Sequence, residues 1–328
     1  MNNSKIVLEP KTQAFIDALT AQGGKPLYEL SYADARKVLE DAQASVNVAK
    51  LAADVEDKTL PVGPTGQTSI TIYRPKGIKG ALPVVMYFHG GGWILGSKNT
   101  HDRLLRDLVN KTNAAFVFVN YTPSPEAQFP VPVEQAFAAT KYVSEHGGEL
   151  GFDTTRLAVA GDSVGGNMVA VVTQLAKERK GPKISYQVLF YPVTDSSLSQ
   201  ESYKQFANGP WLTTAAMNWF WDAYAPNKAD RKKSMASPLT ATPEQLKGLP
   251  PALVIVDEND ILRDEGEQYA RKLIEAGVET TAVRVLATFH DFLLLNALAG
   301  TAATKSALDL ASQKLAQTLG SVAQRPAA

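Results

Sequence analysis

From residue 68 onward, short runs rich in β-branched and aromatic residues alternate with longer stretches of amphipathic spacing. This rhythm constrains the fold more than any other feature. The runs are "TSITIYRP" (68–75), "PVVMYF" (83–88), "AAFVFVN" (114–120), "RLAVAG" (156–161), "YQVLFYP" (186–192), "PALVIVD" (251–257) and "TAVRVL" (281–286). The first alternates like a strand, and the others read as buried strands covered on both faces. Helical spacing predicts helices near 100–112, 131–146, 164–179, 265–276 and 303–319. Strands alternating with helices build βαβ units, which require a mostly parallel sheet with helices on its faces. The predicted class is therefore α/β.

Two segments stand outside this rhythm. Residues 10–53 read as helical, with Phe15, Leu19, Ala35, Val38 and Leu39 at amphipathic spacing and "QGGKP" as a break. A Pro/Gly-rich link, "LPVGPTGQ", separates them from the first run. Residues 195–248 look like an insertion between two sheet strands and carry Trp211, Trp219 and Trp221 in "GPWLTTAAMNWFWDAYAP". The expected organisation is N-terminal cap helices over 1–53 and a catalytic domain over 54–320. Residues 195–248 would join the cap, and 321–328 would form a flexible tail.

Composition narrows the chemistry. Lys+Arg and Asp+Glu both total 33, a balance that argues against nucleic acid or an anionic membrane as the main partner. The chain has no cysteine, which excludes disulfides, thiolate metal sites and a cysteine nucleophile. Its four histidines are scattered without a close pair, and no cofactor fingerprint is present, so neither a metal nor a cofactor is expected. The stretch "MNNSKIVLEPKTQAF" lacks an apolar signal core, and no apolar run approaches the ~20 residues of a spanning helix. The expectation is a cytoplasmic protein without stable membrane insertion, acting on a small molecule. A homodimer is the one assembly considered.

The sequence "LAVAGDSVGGNMVA" contains G-x-S-x-G as Gly161-Asp162-Ser163-Val164-Gly165. The pattern is weak alone, but here a predicted strand ends just before it and a predicted helix begins just after. That is the strand–turn–helix in which a serine is exposed on a strained elbow. A second glycine cluster, "YFHGGGWILG", again follows a strand directly. Three consecutive glycines cost conformational entropy, so bare backbone should be needed there. An oxyanion hole has that need, and its expected donors are the amides of Gly91, Gly92 and Val164. A phosphate loop fits less well, because no Lys-Ser/Thr pair follows.

A serine nucleophile requires a base. His89 belongs to the glycine cluster, where it would anchor the loop, and His101 and His146 precede the serine. In the elbow architecture the order is serine, acid, histidine, and only His290 follows Ser163. The acid must then come from "VDENDILRDEG" (256–266), which is a poor calcium loop because Ile261 occupies a ligand position and the central glycine is missing. Asp264 reads as a helix cap with Glu267 three residues on, and Glu258 and Glu265 as solvated. Asp260 is free of these duties and is the better-placed acid, with Asp257 at the strand end as the alternative.

These residues resemble the hormone-sensitive-lipase-like branch of the α/β-hydrolases, the bacterial family IV carboxylesterases. The resemblance spans nearly the whole chain and rests on "HGGGW" (89–93), "GDSVGG" (161–166), "DILRDEG" (260–266) and "HDF" (290–292), in the family's order. The segment "NYTPSPEAQFPVPVEQA" (120–136) is also similar to the family's. The resemblance implies an α/β-hydrolase fold with a helical cap, selects Asp260 over Asp257, and implies hydrolysis of short-acyl esters through an acyl-enzyme. An amidase, deacetylase or lactone hydrolase would use the same triad, whereas a non-catalytic receptor on this fold would typically have lost His290. Three departures stand out: Ile261 for the usual proline, Val164 for alanine and Asp291 for glycine. Val164 is expected to narrow the acyl side of the site, and Asp291 to raise the imidazole pKa. Trp93, Trp211, Phe292 and Leu293 are the candidates for lining the pocket. Core packing is the competing expectation for at least two of the cap tryptophans.

Overall fold

The alternating runs form strands of one sheet, which the computed structural model describes within residues 6–321. The strands are β1 (Ala53–Leu60), β2 (Thr68–Pro75), β3 (Leu82–Phe88), β4 (Ala115–Asn120), β5 (Phe152–Asp162), β6 (Tyr186–Phe190), β7 (Ala252–Asn259) and β8 (Thr280–Phe289). They lie in the order β1-β2-β4-β3-β5-β6-β7-β8. Only β2 runs antiparallel to its neighbours; every pairing from β4 to β8 is parallel. The helices are α1 (Pro10–Gln22), α2 (Tyr32–Ala44), α3 (Lys98–Thr112), α4 (Val131–His146), α5 (Val164–Glu178), α6 (Glu201–Gln205), α7 (Thr214–Tyr224), α8 (Lys228–Arg231), α9 (Pro243–Leu246), α10 (Arg263–Glu275) and α11 (Ala302–Leu319).

The central strands are apolar throughout because both their faces are covered. Every residue of β3 and β6 is buried. Helices α3 and α11 pack on each other and on the sheet, while α4 packs on α5, α5 on β3, β5 and β6, and α10 on β7 and β8. At ~25 cal/mol per Å² of apolar surface removed from water, this two-sided burial is the main favourable term holding the layers together.

Two expectations need correction. The helical stretch ends at Ala44 rather than at 53, and strand β1 fills the gap between the expected helices and the link, where no element was expected. Its charged residues Asp54, Glu56, Asp57 and Lys58 hide its strand character but suit an edge, where charge discourages pairing with other chains. Strand β8 is not buried over most of its length: it is the opposite edge, with Leu286 65% exposed, and only Thr288 and Phe289 at its end are covered. Of the expected tail, Ser321 is held by its hydroxyl donating to Thr112 O at 2.6 Å, and 322–328 lie outside the described residues.

The segments before β1 and between β6 and β7 pack together. Tyr32 stacks on Trp219 at 5.3 Å between ring centroids, and Phe15 meets Trp211 at 5.9 Å. No helix among the described residues is long and apolar enough to cross a membrane.

Candidate active site

The sheet delivers three polar side chains to the C-terminal ends of the parallel strands β5, β7 and β8, the edge at which open α/β sheets build sites. Strand β5 ends at Asp162 and α5 begins at Val164, leaving Ser163 alone on the turn with φ 54° and ψ −119°. This left-handed backbone is strained for an L-residue, at ~1–3 kcal/mol, and persists because neighbours hold it. Ser163 N donates to Phe190 O at 2.9 Å, and Val193 N donates to Ser163 O at 3.1 Å. Gly165 must be glycine, since a Cβ there would stand 1.9 Å from Phe88 O.

His290 follows β8, and its Nε2 lies 2.9 Å from Ser163 Oγ. Its Nδ1 lies 2.8 Å from Asp260 Oδ2, in the loop between β7 and α10. Asp260 Oδ1 accepts from Leu262 N at 3.0 Å, so the backbone orients the carboxylate. Burial alone would lower the His290 pKa, but Asp260 and then Asp291 outweigh it and raise it to about 9. The chemistry open to this array is proton removal from Ser163 by an imidazole whose tautomer Asp260 fixes.

Asp257, the alternative acid, is fully buried beside Asp260. Burial first, then the charges of Asp260 and Asp291, push its pKa well above the carboxylate range and favour its protonated form. The ligand atoms of Asp257, Asp260 and His290 lie within 4.8 Å of one another. Two of these three residues, Asp260 and His290, are already bonded to each other.

The glycine cluster faces the serine across the cavity. Gly91 and Gly92 line the same space as Ser163, and no backbone carbonyl among the described residues takes their N–H groups. Gly92 has φ 63°, and a Cβ on it would lie 2.1 Å from the Phe220 ring of α7. His89 anchors this loop as expected, with Nδ1 2.8 Å from Gly90 O. Burial, aided by His101, lowers its pKa to about 3 and keeps it neutral.

Behind the serine lies a network that sequence reasoning missed. His101 Nε2 lies 3.2 Å from Asp162 Oδ2, and Tyr87 OH donates to Asp162 Oδ1 at 2.7 Å. Burial pushes the Asp162 pKa up, but His101 and Tyr87 outweigh it and the net shift is downward. The signal was an acid inside the serine motif paired with a histidine dismissed only as a base.

The cavity over the serine measures about 240 Å³ and is mostly apolar. Trp211 lines it as expected, together with Gly91, Gly92, Ser163, His290 and Asp291. Trp93, Phe292 and Leu293 do not. Trp93 is fully buried and stacks on Tyr224 at 4.0 Å. Phe292 packs on Tyr191 at 6.1 Å, and the Leu293 carbonyl accepts from the buried Arg103. Sitting next to a functional residue in sequence placed them near the site, but the turn sends their side chains into the core. Val164 is also buried in the core and absent from the cavity wall, so its methyls do not narrow the acyl side. Trp219 and Trp221 pack on Tyr32 and Trp93, the core role expected for two of the cap tryptophans. Phe220, part of the aromatic cap run considered for the pocket, also lines it. Sequence reasoning missed Lys25, Pro26 and Leu27 before α2, Leu95 in the glycine loop, and Leu212 and Met217 around α7, none of which carried a usable signal.

The acidic stretch also sorts differently from expectation. Asp264 is no cap: it lies inside the first turn of α10, accepts from Ser202 N at 2.8 Å and pairs with Arg263. Glu265 is fully buried and accepts from Thr194 N at 2.6 Å, and Glu258 accepts from Ala287 N at 2.8 Å.

Comparison with known proteins agrees with this geometry. Residues 85–294 match the model of the alpha/beta hydrolase fold family. The chain is 38% identical over 264 residues to the carboxylesterase NlhH of Mycobacterium tuberculosis, covering 80% of this chain and 82% of that protein. It is 32% identical over 299 residues to an ethyl acetate hydrolase of Pseudomonas putida, covering 89% and 93%. The crystal structure of a thermostable esterase from Pseudomonas putida superposes with a TM-score of 0.94 at 52% identity, covering 95% of this chain and 98% of that one.

Proposed function

The chain belongs to the α/β-hydrolase family, in its hormone-sensitive-lipase-like branch, and from that premise we propose that it hydrolyses short-acyl carboxylic esters through an acyl-enzyme on Ser163. The observation that carries this reading is the hydrogen-bonded series Ser163–His290–Asp260, opening on an apolar cavity beside Gly91 and Gly92.

In this reading His290 Nε2 takes the Ser163 proton as Oγ attacks the ester carbonyl. The amides of Gly91, Gly92 and Val164 receive the developing oxyanion, an interaction made in the transition state rather than the ground state. The imidazolium, stabilised by Asp260, then returns its proton to the departing alkoxide. Water repeats the sequence on the acyl-enzyme and frees the acid. A cavity of about 240 Å³ lies below the ~300–1,000 Å³ of sites for drug-sized ligands, which favours short acyl groups.

The test is a pre-steady-state burst with a chromogenic acetate ester. A burst that disappears in Ser163→Ala supports the acyl-enzyme, and undiminished turnover in that variant refutes it.

A further inference from the structure

Helix α2 carries two polar side chains that join different loops of the active site. Arg36 and Gln43 stand two turns apart on it, and Leu39 between them lines the cavity. At one end, Arg36 Nε donates to Ile94 O and Nη2 to Ser124 O, both at 3.0 Å. A bidentate pair with Glu126, at 2.9 and 2.6 Å, holds the guanidinium plane. Ile94 belongs to the turn that presents Gly91 and Gly92: Ile94 N and Leu95 N donate to Gly91 O at 3.1 and 2.7 Å. At the other end, Gln43 is buried, and its Nε2 donates to Thr100 O at 2.5 Å and to Leu294 O at 2.9 Å. Its Oε1 accepts from Asn296 N at 2.8 Å. Leu294 closes the turn that carries His290, with its N–H donating to Asp291 O at 2.9 Å. The buried Arg103 anchors that turn to α3 through Leu293 O and Leu294 O.

The reaction needs the glycine amides and the imidazole placed together around one carbonyl, and a displacement of about 1 Å can cost ~10²-fold in rate. The sheet does not pair the two loops directly. One follows β3 and the other β8, with β5, β6 and β7 between them. Helix α2 spans that gap from above. Its Gln43 end rests on a histidine turn already anchored by Arg103, and its Arg36 end holds the glycine turn.

We propose that α2 is a strut across the active site and that Arg36 and Gln43 are positioning residues. Gln43 seats the helix on the histidine turn, and from that seat Arg36 sets where the Gly91 and Gly92 amides stand. Neither side chain lines the cavity, so both act through these groups rather than on the substrate. This rests on the esterase reading above and adds that its catalytic geometry is set by the segment before β1.

The experiment measures kcat and KM for a chromogenic acetate ester in wild type, Arg36→Met, Gln43→Ala and the double variant. Rates are expressed per serine titrated by a p-nitrophenyl alkylphosphonate, which releases one nitrophenol for each serine it modifies, so only folded protein counts. Because the contacts place groups used in the transition state, each single variant should lose about tenfold or more in kcat with KM within about twofold. Losses at two sites that do not touch would ordinarily multiply. On a strut both losses release the same glycine turn, so the double variant should stay within about threefold of the more impaired single. Single variants within about threefold of wild type in kcat, a loss carried by KM instead, or a double variant equal to the product of the singles overturns the assignment. Where a variant yields no titratable serine, Arg36→Lys and Gln43→Asn replace the two changes. Lysine lacks the planar fork that reaches two carbonyls at once, and asparagine is one carbon too short, so the same fall is expected. A wild-type protein that neither turns over the ester nor releases nitrophenol from the phosphonate overturns the esterase reading instead.

Discussion

His101 Nε2 stands 3.2 Å from Asp162 Oδ2, with both side chains wholly buried immediately behind the serine. A charge in that position is tolerable only while it is paired. His101→Ala leaves Asp162 with the Tyr87 hydroxyl alone, and the expected cost is ~3–5 kcal/mol of stability. Urea unfolding checks this as a lower midpoint at unchanged slope, and an unchanged midpoint would show the pair to be dispensable.

The pH dependence of the reaction follows from the charges around His290. The imidazole must be neutral to accept the serine proton, and its pKa is raised to about 9. The neutral fraction therefore grows as pH rises, so kcat/KM should climb through neutrality and level off only above about 9. Asp291→Asn removes one of the negative neighbours and should move the rising limb to lower pH. Rate profiles of the two proteins, with a limb that stays put, would exclude Asp291 as a contributor.

Asp257 gives a stability signature with the opposite chemistry. In the unfolded chain it loses its proton near the ordinary carboxylate value, whereas burial and the Asp260 charge make the folded protein hold it far higher. The folded state thus binds the extra proton, and its stability falls as pH rises above the unfolded pKa toward the folded one. Asp257→Asn keeps the shape and has no proton to lose. Its melting temperature relative to wild type should increase as pH rises above the ordinary carboxylate range. A difference independent of pH would contradict the buried proton.

Two aspartates four residues apart should separate activity from stability. Asp260→Asn disturbs the imidazole tautomer and should lower kcat by roughly 10⁴-fold while leaving the melting temperature nearly unchanged. Asp264→Ala removes the acceptor for Ser202 N and should cost ~1 kcal/mol, with activity within a few-fold of wild type. Kinetics and thermal melts on the same preparations decide it, and the reverse ranking would exchange the two roles.

The stretch around these aspartates marks where sequence reasoning succeeds and where it stops. Order along the chain and elimination were enough to pick Ser163 and His290 and to put Asp260 ahead of Asp257, a choice that the family resemblance then made. They suffice because a parallel sheet sends its loops to one edge whatever the details of packing. The burial of Glu265, the protonation of Asp257 and the Asp264–Ser202 bond were not legible. The first depends on Thr194 and Asp195 and the last on Ser202, all from the segment after β6 far along the chain, while Asp257 depends on its burial beside Asp260 and Asp291. Strand β1 was hidden because an edge strand has one neighbour, so its residues need not be apolar. Trp93, Phe292 and Leu293 were misplaced because nearness in sequence to a functional residue does not fix the direction of a side chain after a sharp turn.

The packing of Phe220 against bare Gly92 has a consequence for how such proteins can diverge. An aromatic ring on α7 occupies the space that a side chain on Gly92 would take. The helix that roofs the cavity and the loop that would receive the oxyanion therefore share one contact surface. A roof borrowed from a relative would carry its own ring, or none, into that contact and shift the glycine amides with it. Substrate range and catalytic competence are in this way inherited together, and drift in one is constrained by the other.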